Sequence, residues 1–169
     1  MFVTAAVGIA AAVAVPQLNA TIEHTRTVGA ARYLAARLGS ARAQAVARSA
    51  NVALLFTIAG ERTTVGIYAD GNGDGVRTRE IASGIDAAAG APMRFDVAFP
   101  HVILSLSDPP DPALTSALMS FTPLGTASSG TLYLRGGDGS RYAVRVLGAT
   151  GRTRVLRYDA TSRSWIEGL

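Results

Sequence analysis

Cysteine is absent from the 169 residues, which excludes thiol nucleophiles, disulfides and thiolate zinc sites. Lysine is absent too. All 16 cationic side chains are arginine, and that removes every mechanism needing a lysine amine, from a phosphate-binding P-loop to a Schiff base. Charged residues are sparse at 17%, too few for an acidic disordered chain or a charged coiled coil. The only histidines, His24 and His101, lie far apart, with no HExxH spacing and no neighbouring carboxylate cluster to make a zinc or acid/base site. There is no G-x-S-x-G elbow, and Gly71, Gly73 and Gly75 lack the strand-to-helix setting of a dinucleotide fingerprint. These absences predict no catalytic residue, no enzyme activity and no cofactor.

What is present is largely apolar. A hydrophobic content of 49% in 169 residues builds one real core with room for an appendage, but not for a second catalytic domain. The net charge of +4 suits an anionic partner such as DNA or a membrane surface, or else records arginine standing in for lysine on an ordinary solvated surface.

The appendage is the amino-terminal run. From Met1 to Val15 only Thr4 is polar, and the first charge is Glu23. At ~1.5 Å per residue this run falls short of the about 17–25 residues that span a hydrocarbon core. No basic region precedes it, as a cleaved signal peptide would require. Residues 1–20 are expected to form the transmembrane part of a longer helix. Pro16 should kink that helix without ending it, and Gly8 should permit close approach of a neighbouring helix. From 21 to 50 the pattern is amphipathic, with Ala31, Leu34, Leu38, Ala41 and Ala45 on one stripe and Arg26, Arg32, Arg37, Arg42 and Arg48 interspersed. Asn51 is the expected stop.

Residues 52–169 read as β-rich. Strands are expected at Val52–Ile58, Thr63–Tyr68, Met93–Phe99, Val102–Leu106, Leu118–Thr122, Thr131–Arg135, Arg141–Leu147 and Arg152–Tyr158. Short strands with tight turns imply antiparallel sheets, so the fold class is α+β, a long amino-terminal helix packed on antiparallel β-sheets. The three prolines and two aspartates of Ser107–Pro112 mark a surface loop.

Two motifs have chemical content. Asp70, Asn72 and Asp74 with Gly75 begin like a calcium-binding loop, but the twelfth place is Ile81, with Glu80 one early, so the segment reads as an Asp/Asn-Gly turn. Gly151-Arg152-Thr153-Arg154 follows a turn and precedes Arg157. Alternation puts Arg152 and Arg154 on one strand face, where each guanidinium can clamp a phosphate, and Arg141 and Arg145 extend the patch if the two strands pair. The competing reading is a charged edge strand that resists aggregation.

Met1, Gly8, Pro16 and Gln17 fall in the register of the amino-terminal helix of type IV pilins. By that register about six mature residues and a basic leader would precede Met1. The order of the remaining motifs extends the likeness: Ser40-Ala41-Arg42-Ala43-Gln44-Ala45-Val46, then Asp70-Gly71-Asn72-Gly73-Asp74-Gly75, then Phe121-Thr122-Pro123-Leu124-Gly125. Together they resemble the GspH/FimT family of minor pseudopilins. The resemblance implies a pilin-like fold and a single-pass inner-membrane protein with its head in the periplasm. It also implies assembly at the tip of a type II secretion pseudopilus or type IV pilus, with other minor and major pilins as partners through the amino-terminal helix. Some FimT-like members carry G-R-x-R near the carboxyl end and bind double-stranded DNA during uptake, which would give that role to Arg152 and Arg154. Replacing Ala5 or Gly8 with Arg is expected to abolish membrane retention, as read by cell fractionation.

Overall fold

The computed structural model describes the backbone of residues 2–168 and side chains from Ala20 to Gly168; Gly8 and Pro16, the expected membrane and assembly positions, lie outside the described side chains. A single helix, α1, runs Phe2–Arg48, unbroken through position 16. Among the described residues no helix is long and apolar enough to cross a membrane.

The amphipathic stripe is buried as its spacing predicts. Thr27, Ala30, Ala31, Leu34, Leu38, Ala41 and Ala45 are all fully buried, while Arg32, Ala36, Ser40 and Arg48 between them are exposed. The helix ends two residues earlier than expected. Ser49 adopts the left-handed conformation that terminates it, and the Ala50 amide returns to the Ala45 carbonyl. Asn51 instead leads into the sheet, donating its side-chain amide to Asp70 at 2.8 Å.

Ten strands follow: β1 Val52–Ala59, β2 Arg62–Ala69, β3 Ala87–Ala88, β4 Met93–Arg94, β5 Ile103–Ser105, β6 Ser116–Phe121, β7 Gly130–Arg135, β8 Arg141–Leu147, β9 Arg152–Asp159 and β10 Ser164–Glu167. They form two five-stranded sheets. The first runs β3-β2-β1-β6, with β4 also paired to β2, and the second runs β10-β9-β8-β7-β5. Every pairing is antiparallel. The chain is α+β and pilin-like, a long helix laid on antiparallel sheets. Val52, Leu54 and Phe56 of β1, Leu132 and Leu134 of β7, and Val144 and Val146 of β8 meet the helix stripe in one core.

The expected strand Met93–Phe99 is corrected. After the two residues of β4 the chain turns into α3, Phe95–Ala98. The apolar residues at 93, 95, 97 and 99 look alternating, but Val97 is 65% exposed and Phe95 is fully buried. Phe95 and Phe99 work as an i, i+4 pair, their ring centroids 5.1 Å apart, with the Phe99 amide bonded to the Phe95 carbonyl. Three further elements were not anticipated: β3, β10 and the short helix α2, Thr78–Ser83. Each is too short to carry a period.

Asp96 holds the α3 turn to the first sheet, accepting from the Thr63 amide at 3.1 Å and from Arg94 Nε at 3.0 Å. The Arg94 hydrogen bond, acting against burial, lowers its carboxyl to about 2 from an ordinary 3.8. A depressed folded pKa stabilises above the unfolded value, and that contribution is lost as pH falls through the folded one. The stability difference between wild type and Asp96→Asn should therefore be complete above about pH 4 and vanish toward pH 2, read as urea midpoints across that range.

Candidate functional site

The β8–β9 hairpin forms as the motif required. Arg145 lies directly across from Arg154, and Leu147 from Arg152. Tyr142, Val144 and Val146 point to the helix and are buried, so alternation turns Arg145, Arg152 and Arg154 to the outer face, where all three are exposed. Arg135, paired with Arg141 across β7 and β8, shares that face. It lies outside the G-R-x-R motif, and only the strand register brings it in. Among the described residues Arg135, Arg145 and Arg152 enter no ion pair.

The turn behind this face is pinned to α1. Gly151 has φ of 59°, and a Cβ there would sit 2.3 Å from the Gly125 carbonyl oxygen and 2.9 Å from Arg42 Cδ. Arg42 Nε donates to that same carbonyl at 3.0 Å. The glycine of the motif is thus required by backbone geometry, apart from anything the arginines bind.

Two of the expected arginines are placed otherwise. Arg141 is on the outer face but is spoken for: it pairs with Asp108 and lies over the Tyr158 ring at 4.3 Å and the Trp165 ring at 5.6 Å. Trp165 in turn packs against Tyr133 and Tyr158, with centroids 5.7 and 5.3 Å away. Arg157 opposes Tyr142 and so faces the helix, not the patch. Arg154 lies 3.8 Å from Glu167, both side chains more than half exposed, a pair worth about 0–1 kcal/mol. The outer face is therefore cationic through Arg135, Arg145, Arg152 and Arg154, beside an aromatic cluster.

In the loop after β2, the Asp70 oxygens accept from the amides of Asn72, Gly73 and Gly75 at 3.1, 2.7 and 2.8 Å. Burial pushes the Asp70 carboxyl up, but the hydrogen bonds from Asn51 and these three amides prevail and hold it below its ordinary value. Asn72 accepts from the Asp74 amide at 3.3 Å, and Asp74 pairs with Arg77. These oxygens are committed to the turn. Asp86, 2% exposed, closes the loop by accepting from the amides of Gly71 and Arg77 at 3.1 and 2.8 Å. Among the described residues no group of three or more side chains is arranged to hold a metal.

The histidines do meet carboxylates, which the sequence concealed. His101 Nδ1 is 2.9 Å from Glu23, and His24 Nδ1 is 3.4 Å from Asp138. Glu23 also receives Arg26 at 2.6 Å. Its carboxyl is held below the ordinary value, first by the His101 hydrogen bond against burial and then by Arg26. Each histidine docks a loop onto α1, His101 from the segment after α3 and Asp138 from the β7–β8 turn.

Residues 30–151, from the head half of α1 through the β8–β9 turn, match the family described as Type II transport protein GspH. The chain belongs to the GspH family. Comparison with curated proteins and with solved structures gives no match. As a GspH/FimT-family minor pseudopilin it has a structural role in type II secretion, in the periplasm and in contact with other pseudopilins. The matched segment stops at Gly151, so Arg152 and Arg154 fall just beyond it.

The pinned turn separates two roles within the motif. Gly151→Ala should lower stability by about 1 kcal/mol or more through left-handed strain and collision with Gly125. Arg152→Ala and Arg154→Ala should each stay within about 0.5 kcal/mol of wild type, as read by chemical denaturation.

Proposed function

We propose that this GspH-family chain is held in the inner membrane by a single pass through residues 1–20. Its head, residues 21–169, lies in the periplasm, and the subunit joins the tip of a type II secretion pseudopilus. Filament entry comes from side-by-side packing of α1 with the helices of other minor and major pseudopilins, with Gly8 and the alanines of the run allowing close approach. The supporting observation is the division of labour along α1. Among the described side chains of α1 the fully buried ones run from Thr27 to Ala45, and the apolar run of the sequence, Met1 to Val15, precedes them on the same helix, where lipid and partner helices can take it up.

A second reading, a DNA-binding minor pilin for uptake or a type IV pilus subunit of that kind, is favoured by the outer face alone. Arg145, Arg152 and Arg154 gather around one hairpin end, and of the three only Arg154 has an ion-pair partner among the described residues, the exposed Glu167. Such a face attracts duplex phosphates without reading sequence.

The deciding experiment uses the full chain in detergent, titrated with duplex DNA between low and high salt, beside the Arg152→Ala/Arg154→Ala variant. For a secretion subunit the expected outcome is no salt-sensitive affinity, together with undiminished co-purification of the variant with the other pseudopilins. Affinity that falls steeply with salt and collapses in the variant would replace that reading with DNA uptake.

A further inference from the structure

Where α1 crosses the second sheet there is an open, shallow cavity of about 420 Å³, with His24, Val28 and Arg32 on the helix wall and Tyr142, Arg157 and the Glu167–Gly168 tail on the other. The three helix residues are spaced four apart and so form one line along α1. Tyr142 and Arg157 are direct cross-strand neighbours. The tail closes one side, because the Gly168 amide bonds to the Val155 carbonyl.

Three donors converge on this space without acceptors of their own. Tyr142 is only 2% exposed, yet its hydroxyl opens on the cavity and has no hydrogen-bond partner among the described residues. Arg32 and Arg157 form no ion pair among the described residues. Among the described residues each nearby carboxylate has another partner. Glu167 lies toward Arg154, Asp138 toward His24, and Asp159 is held by the Ser162 hydroxyl at 2.7 Å. Burial, with the Asp138 carboxylate, raises the Tyr142 hydroxyl against the lowering fields of Arg157 and Arg32, so it keeps its proton and remains a donor.

The geometry points to a binding site for a phosphate group, clamped between Arg32 of α1 and Arg157 of β9 with the Tyr142 hydroxyl as third donor. A carboxylate is planar and is satisfied by one guanidinium fork; forks on opposite walls with a hydroxyl between them suit an anion carrying oxygens on several sides. The volume matches a small ligand or a headgroup, since such sites run from about 300 Å³ upward. The phosphate has two available sources. The amino-terminal apolar run ends at Val15, and His24 follows it by about 14 Å at ~1.5 Å per residue. An anionic lipid headgroup and a soluble phosphate therefore present the same chemistry here.

The test titrates inorganic phosphate into the full chain in nonionic detergent at fixed ionic strength, followed by calorimetry. Wild type should bind saturably. Arg32→Gln and Arg157→Gln should each weaken binding about tenfold or more, Tyr142→Phe less, and Arg48→Gln, at an exposed arginine elsewhere on α1, not at all. Arg32 is exposed on the helix, so Arg32→Gln keeps the fold, as circular dichroism will verify. Absence of saturable binding by wild type, or equal binding by Arg32→Gln, would overturn the site. Repeating the titration in nanodiscs assigns the source. Weaker apparent phosphate affinity in phosphatidylglycerol than in phosphatidylcholine means that a headgroup competes for the site, and equal affinity means that the soluble anion is the ligand.

Discussion

The head depends on one close approach, that of the small-residue stripe of α1 to both sheets. Ala30, Ala31, Ala41 and Ala45 let strand side chains come against the helix, and Leu34 and Leu38 fill the space between them. Burying each leucine stabilises by about 1.5–3 kcal/mol, whereas the surface ion pairs around the helix are worth about 0–1 kcal/mol apiece. The apolar stripe therefore sets how the sheets sit, and the arginines between its members are left to face outward or reach over the rim, as Arg42 does to Gly125.

Elements with a strong period were legible. The stripe from Ala31 to Ala45 and the strands around Val52, Thr131, Arg141 and Arg152 were readable because a buried face repeats every 3.6 or 2 residues. Where the chain is short and its contacts distant, the pattern misled. Phe95 and Phe99 fit a strand by alternation and a helical turn by pairing, and only the docking of Asp96 onto Thr63 decides between them. Strands of two residues, such as Ala87–Ala88, exist only through their partner.

The candidate face was half legible for the same reason. Spacing alone put Arg152 and Arg154 together and suggested Arg145, and the hairpin register added Arg135. Parity also removes Arg157, three residues after Arg154 and so on the opposite side, a consequence available from the motif itself. Its place across one pocket from Arg32 was invisible, since the two lie more than a hundred positions apart. The pairing of Glu23 with His101 was hidden likewise. It shows why a histidine with no carboxylate nearby in sequence is not thereby without one in space.

The continuity of α1 has a mechanical consequence. A helix of 47 residues is about 70 Å long at ~1.5 Å per residue, and it touches β1, β6, β7, β8 and β9 along its head half. A pull along its axis therefore loads those contacts together, in shear, and no strand is unzipped bond by bond from its neighbour. Tension passing through the helix would be shared by two sheets at once, so the head resists as a block, and the short strands β3, β4, β5 and β10, outside the main helix contacts, carry least of that load.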